Sequence, residues 1–404
     1  GTGQAFLKDL AVDSSGNSIV VGAFTGSIDF GSGTPLTSTG NNTDIFVAKY
    51  GPSGDYVWAK KFGDSNNQSA LSVAADSNGD IALCGYFYRN LNFGGSNLSN
   101  SDQFSNIYVA KLLGASGSHS FSKAFTNSVG TNDTCEGITI DSKDNILITG
   151  RFQSNIDFGG GQLTASGGNG DMDVFVAKFA SNGSYVLGEG YGGTASNVKQ
   201  EQIGLDIATA IDDSFAITGA THGPVDFGAG EITSPDGPRA FVARFKSDGT
   251  HQLSRVFDTD KQTDESHGRA IAFHSSGDLF VSGTFDNKVT IETEELTAAN
   301  STTDMFVARY DANSSLSFAT SFGGKDTATV YSMDVDSNGF AVISGEFQTD
   351  LKISSQTTLQ AGGGQDAFVM KVGSKGNGFW GYSMGEALRQ TAQGVAVDSN
   401  GDTL

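Results

Sequence analysis

The sequence predicts an all-β fold assembled from one sheet-forming unit written six times, and three recurring phrases carry that expectation. The first is FVAK-like and begins at Phe46, Tyr108, Phe175, Phe241, Phe306 and Phe368, in steps of 62, 67, 66, 65 and 62 residues. The second is an aliphatic run closing in an Asp-Ser turn: AVDSSGN at 11, AADSNGD at 74, ITIDSKDN at 138, DVDSNGF at 334 and AVDSNGD at 396, with weaker forms near Ile211 and His274. The third lies between them and reads VVGAF, LCGYF, ITGRF, ITGAT, VSGTF and ISGEF. Their order never changes.

Within a copy, each element follows from its residues. The second copy offers four runs rich in Val, Ile, Phe and Tyr: ALSVAA, IALCGYF, NIYVAKLL and HSFSKAF. DSNGD separates the first pair and GASGS the last, both of hairpin length, with Gly for the positive φ of a tight reversal. The connection between the second and third runs is longer and variable (GGSNLSNSDQFS, GGGQLTASGGNGDMD), which predicts a solvent loop. No segment keeps apolar residues at helical period with caps. The copies run approximately over 5–69, 70–134, 135–202, 203–268, 269–330 and 331–392.

A four-stranded sheet of about 63 residues cannot shelter both faces alone, and standing such sheets around an axis lets each cover the next. The expectation is one β-propeller domain over 1–404, with Phe24, Phe87, Phe152, Phe285 and Phe347 filling the layers. QGVAVDSNGDTL at 393–404 adds the first strand and turn of a partial copy. The count therefore fits six blades with an extra strand, or a seven-bladed ring cut short.

DIFVAKYGPSGDYVWAKKFG, followed by AADSNGDIALCGYF, resembles the bacterial β-propeller repeat family called SBBP, over nearly the whole chain. The match departs at IDDS in copy four, and the Trp of the pattern stands only at Trp58 and, more loosely, Trp380. The resemblance implies a fold, mostly in large secreted or surface-attached bacterial proteins, and implies no reaction.

Composition narrows the classes of function. A formal charge of −21 repels phosphate backbones, which argues against a nucleic-acid partner. No apolar run reaches the roughly 18 residues of a membrane-spanning helix. A start at Gly1 instead of Met reads as processing, so the missing leader says nothing against export. Cys84 and Cys135 lack metal-type spacing; the preferred reading is two buried or half-buried thiols, and a bond between them is the alternative.

Signals for chemistry are sparse. DSNGD at 76–80, DSNG at 336–339 and DSNGD at 398–402 resemble short calcium loops, but they lack a closing Glu and fit Asp-capped hairpin turns better. His119, His222, His251, His267 and His274 fall in no HExxH arrangement, and no GxSxG elbow occurs. The acidic stretch FDTDKQTDESHGRA brings Asp258, Asp260, Asp264, Glu265 and His267 into one loop, and THGPVDFG in copy four brings in His222. The expected function is a non-catalytic extracellular or cell-surface scaffold, its loops presented to a protein or glycan partner. The alternative is a hydrolase- or lyase-type enzyme with a site at the mouth of the central channel.

Overall fold

The computed structural model describes residues 2–100, 103–126, 131–166, 170–194, 201–233, 237–398 and 400–404. Each copy folds as four antiparallel strands laid side by side in chain order. In sheet 1 these are Gln4–Val12, Ser18–Thr25, Asp44–Tyr50 and Tyr56–Phe62. The inner strands of sheets 2 to 6 are Gln68–Ala75, Thr134–Ile140, Glu201–Thr209, Ser266–Phe273 and Ala328–Val335. A single 3-10 turn at Ala299–Ser301 is the one helical element among the described residues.

The chain divides into two compact units, Gly1–Gly190 and Tyr191–Leu404. In the first, sheets 1 to 3 stack face to face. Ile19, Val21, Val47 and Trp58 meet Val73, Leu83 and Ala110 in one layer, and Cys84, Val109, Ile138 and Ile148 share the next. In the second unit, Val242 and Leu253 meet Ile271 and Val281, and Phe280 and Val307 meet Val330, Ile343 and Phe368. The five layer phenylalanines, Phe24, Phe87, Phe152, Phe285 and Phe347, are completely buried. Each such side chain is worth about 1.5–3 kcal/mol of burial.

Every inner strand carries a β-bulge at the same place, after Leu7, Ala70, Cys135, Gly204, Gly268 and Val330. This explains the glycine of the VVGAF-type phrase. A Cβ on Gly22 would sit 2.1 Å from the Phe6 carbonyl oxygen, and one on Gly283 would sit 2.0 Å from that of His267. Only a residue without Cβ lets the second strand lie against the bulge.

In four copies the residue after the bulge reaches the next copy; in copies three and five it is Gly137 and Ala270. Asp9 Oδ2 accepts the Val73 N–H at 2.9 Å, and Ser72 Oγ accepts that of Ile138 at 3.3 Å. Asp206 Oδ2 does the same for Ile271 at 2.9 Å, and Ser332 Oγ for Val395 at 3.2 Å. The last contact seats the partial copy on sheet 6. The described residues of 393–404 form no regular strand there: the Val397–Thr403 bridge closes one turn, with Ala396 and Leu404 exchanging backbone hydrogen bonds.

Two expectations are corrected. The second-to-third connection is no plain solvent loop. In five copies it folds into a small hairpin flap, such as Asn155–Asp157 with Gln162–Thr164, and in sheet 6 it prolongs strands Ala341–Lys352 and Thr358–Val372. The apolar residues of the flaps, Leu91, Phe93, Ile156, Phe158, Val225 and Phe227 among them, are buried against the outer strands. The cysteines are likewise not separate thiols. Cys84 of sheet 2 and Cys135 of sheet 3 form a fully buried disulfide, their Cα atoms 5.8 Å apart. The intervening sequence hid this, because 51 residues of repeat fold back to set the second strand of one sheet beside the inner strand of the next.

Candidate functional site

Two sets of polar side chains recur in the sheets, and they have different chemistry. The first joins the Asp-Ser turn to the FVAK phrase. Asp13 Oδ1 accepts the N–H groups of Ser15 and Asn17, both at 2.9 Å, while Oδ2 holds Lys49 Nζ at 2.8 Å. Lys111–Asp76, Lys178–Asp141 and Lys371–Asp336 repeat the pair at 2.6, 2.8 and 2.6 Å. Burial pushes the Asp13 carboxyl up, but Lys49, Asn17 and the turn N–H groups overcome it and leave the group below its ordinary value. Asp141 and Asp336 behave alike. Of the turns that resemble calcium loops, Asp76 and Asp336 thus bond backbone N–H groups and a lysine, and Asp398 bonds the Asn400 and Asp402 N–H groups and the Asn400 amide. Among the described residues, no group of three or more His, Cys, Asp or Glu is placed to hold a metal.

The cation also reaches forward. Lys49 Nζ donates to the Gly114 carbonyl at 3.2 Å and Lys111 Nζ to that of Ser181 at 3.4 Å, in each case the outer turn of the following sheet. Where the turn lacks its leading Asp, the cation is arginine. In copy five His274 replaces the Asp, and Arg309 pairs instead with Asp278 while donating to the Ser374 carbonyl at 2.8 Å. In copy four the turn begins at Ala210, and Arg244 donates to the carbonyls of Gly277 and Ala312 and to Ser214 Oγ. The longer guanidinium makes up the missing reach.

The second set lies at the bulges, whose extra residues in the second unit are Leu205, Arg269 and Tyr331. Tyr331 donates its hydroxyl to Glu346 Oε1 at 2.7 Å, and Arg389 grips both Glu346 oxygens at 2.7 and 2.9 Å. Burial, and then Glu346, raises the Tyr331 phenol to about 12. His267 stands two residues before Arg269. Burial first and the Arg269 charge second drop its imidazole to about 4, so the ring is neutral at pH 7. Arg269 is itself pulled below its ordinary value by burial.

The structure does not bring the acidic stretch 257–270 together as one site. Asp258 lies on a short strand paired with the fifth flap, and exposed Asp260 meets Lys288 at 3.3 Å. Asp264 is buried and accepts from Asn287 Nδ2 at 2.8 Å, and His267 belongs to the bulge set. The stretch instead wraps a side chain that sequence reasoning missed. Arg239, completely buried, donates to the carbonyl oxygens of Asp264 at 2.6 Å and Lys261 at 3.3 Å. The available signal was PRAFVARF, where Arg stands in place of the Asp that opens DIFVAK. His222 lies at the end of strand Phe215–His222, in register with Glu201 and three residues beyond the glycine facing the bulge.

The described residues include no helix long and apolar enough to cross a membrane. No family model matches the chain. It is 27% identical over 207 residues to the regulatory protein FlaEY of Caulobacter vibrioides, a stretch covering 48% of this chain. That stretch is only 20% of the relative's length. Among solved structures, a protein of unknown function from Dyadobacter fermentans aligns at 10% identity with a TM-score of 0.45, over 85% of this chain and 90% of that one. The quinohemoprotein alcohol dehydrogenase of Comamonas testosteroni aligns at 7% identity with a TM-score of 0.43, over 97% and 69%. What the chain's own geometry defines is an all-β repeat protein whose copies each contribute four antiparallel strands.

Proposed function

We propose that the six copies are blades of a β-propeller, with 393–404 as a partial further copy, and that the protein is a non-catalytic binding scaffold outside the cytoplasm. The observation that carries this reading is where the repeated polar residues go. The turn Asp, the FVAK cation and the residue after the bulge all join one sheet to itself or to the next. Stiffness is thereby concentrated in the sheets, while the flaps and turns differ from copy to copy and supply recognition.

The buried Cys84–Cys135 bond supports an oxidising compartment, since reducing conditions keep cytosolic thiols apart. A protein or carbohydrate partner engaging the flaps fits this reading. The test is binding of the purified chain to a glycan panel and to intact bacterial cells, repeated with flap 154–166 replaced by a Gly-Ser linker. Saturable binding reduced by the replacement is expected. Turnover of a glycoside or polyuronide substrate, with no binding to either target, would overturn the proposal in favour of a channel-mouth enzyme.

A further inference from the structure

Buried cations in this chain generally have an oxygen to hold. Lys49, Lys111, Lys178 and Lys371 each have a carboxylate, and Arg244 and Arg239 have backbone carbonyls. Arg269 has neither. Its buried Nε lacks an acceptor, as do those of Arg151, Arg239, Arg244 and Arg309, but in Arg269, as in Arg151, no carboxylate or carbonyl holds the rest of the guanidinium among the described residues. The charged or titrating neighbour that acts on it is the Tyr331 phenol, whose hydroxyl already donates its hydrogen bond to Glu346. Leaving a guanidinium desolvated and unanswered is unfavourable, and more so where other cations of the same protein are matched.

Position makes this more than a packing fault. Arg269 and Tyr331 are the extra residues of homologous bulges on two packed inner strands, so both project from the same level of the second unit. His267 is held neutral beside Arg269 and brings a ring nitrogen that can donate without adding charge. Arg269 is only partly exposed, which leaves the planar fork reachable from one side. A guanidinium fork with a neutral donor beside it matches two oxygens of one oxyanion.

We propose that Arg269, with His267, forms a binding site for the oxyanion group of a small ligand, a carboxylate or a phosphate. The site goes beyond the scaffold reading and does not depend on flap recognition.

Isothermal titration of the whole chain with acetate in one arm and inorganic phosphate in the other tests it, at constant ionic strength and pH 7. At least one anion should give a saturable single-site isotherm, and the arm that does so identifies the group. Arg269→Gln should weaken binding at least roughly tenfold, the loss expected for a charge-assisted hydrogen bond. Arg269→Lys, which keeps the charge without the fork, should fall in between and guards against a Gln variant that misfolds. Arg255→Gln removes an exposed arginine paired with Glu292 and should leave binding unchanged. No saturable heat with either anion would overturn the proposal, as would equal weakening by the Arg255 and Arg269 variants.

Discussion

Asp9 shows how much one side chain can be asked to do at a sheet boundary. Half-buried, it accepts from Ser72 Oγ at 2.7 Å and from the Val73 N–H at 2.9 Å. Burial outweighs these bonds and lifts its carboxyl from 3.8 to about 6. The folded state therefore holds the proton more tightly than the unfolded chain. Its contribution to stability is full below about pH 4 and is lost as pH rises through about 6. Asp9→Asn cannot titrate, so its stability relative to the parent should improve between pH 5 and 7.5, by on the order of 2 kcal/mol. Urea unfolding at several pH values measures this, and a pH-independent gap would refute it. Asp13, Asp141 and Asp336 work in the opposite sense. Their carboxyls are lowered, so their stabilisation holds above about pH 4 and is lost in acid.

The His274 and Arg309 exchange makes a second residue-scale prediction. Arg309→Lys alone should destabilise by about 1–3 kcal/mol, since a lysine there finds no turn Asp. Adding His274→Asp should restore most of the loss by rebuilding the pair seen at Asp13 and Lys49. Purely additive effects in the double-mutant cycle would show that the turn residue and the cation are not partners. This pairing was written in the sequence as DS with FVAK and as HS with FVAR, but nothing there said that the two phrases touch. Arg269 was less legible still, because its isolation is a fact about what surrounds it in three dimensions.

At the scale of the element, the strands were readable because period-two alternation and glycine turns are local. The bulges were not, since an extra residue in an inner strand leaves no local mark. Its trace is the glycine opposite, which the repeat displayed without a reason. Gly283→Ala should cost about 1–3 kcal/mol or more through the clash with the His267 carbonyl. Gly51→Ala, whose new methyl would lie 3.7 Å from the nearest atom, should stay within about 0.5 kcal/mol. Equal melting temperatures for the two variants would count against the bulge as a constraint. The flaps escaped sequence reading for a related reason: IDFG and VDFG look like polar connections until the outer strand behind them is known to need cover.

For the whole molecule, six copies in constant order were enough to predict an all-β repeat protein. Which sheets are stapled was not predictable, because it depends on how far a complete copy carries the chain through space. Removing the staple with Cys84→Ser and Cys135→Ser together should lower stability by about 4 kcal/mol in the chain-entropy picture for a 51-residue span. Comparing denaturant midpoints of the double variant and the oxidised parent checks this, and unchanged midpoints would mean the bond is incidental.

The cation bridges also point one way. Lys49, Lys111, Arg244 and Arg309 each reach from their own sheet to a turn that lies later in the chain. During synthesis, then, a sheet leaves the ribosome with its cation held by its own turn and its forward acceptor not yet translated. Each sheet can settle only after most of its successor has emerged, so maturation within a unit trails the growing end of the chain by one copy.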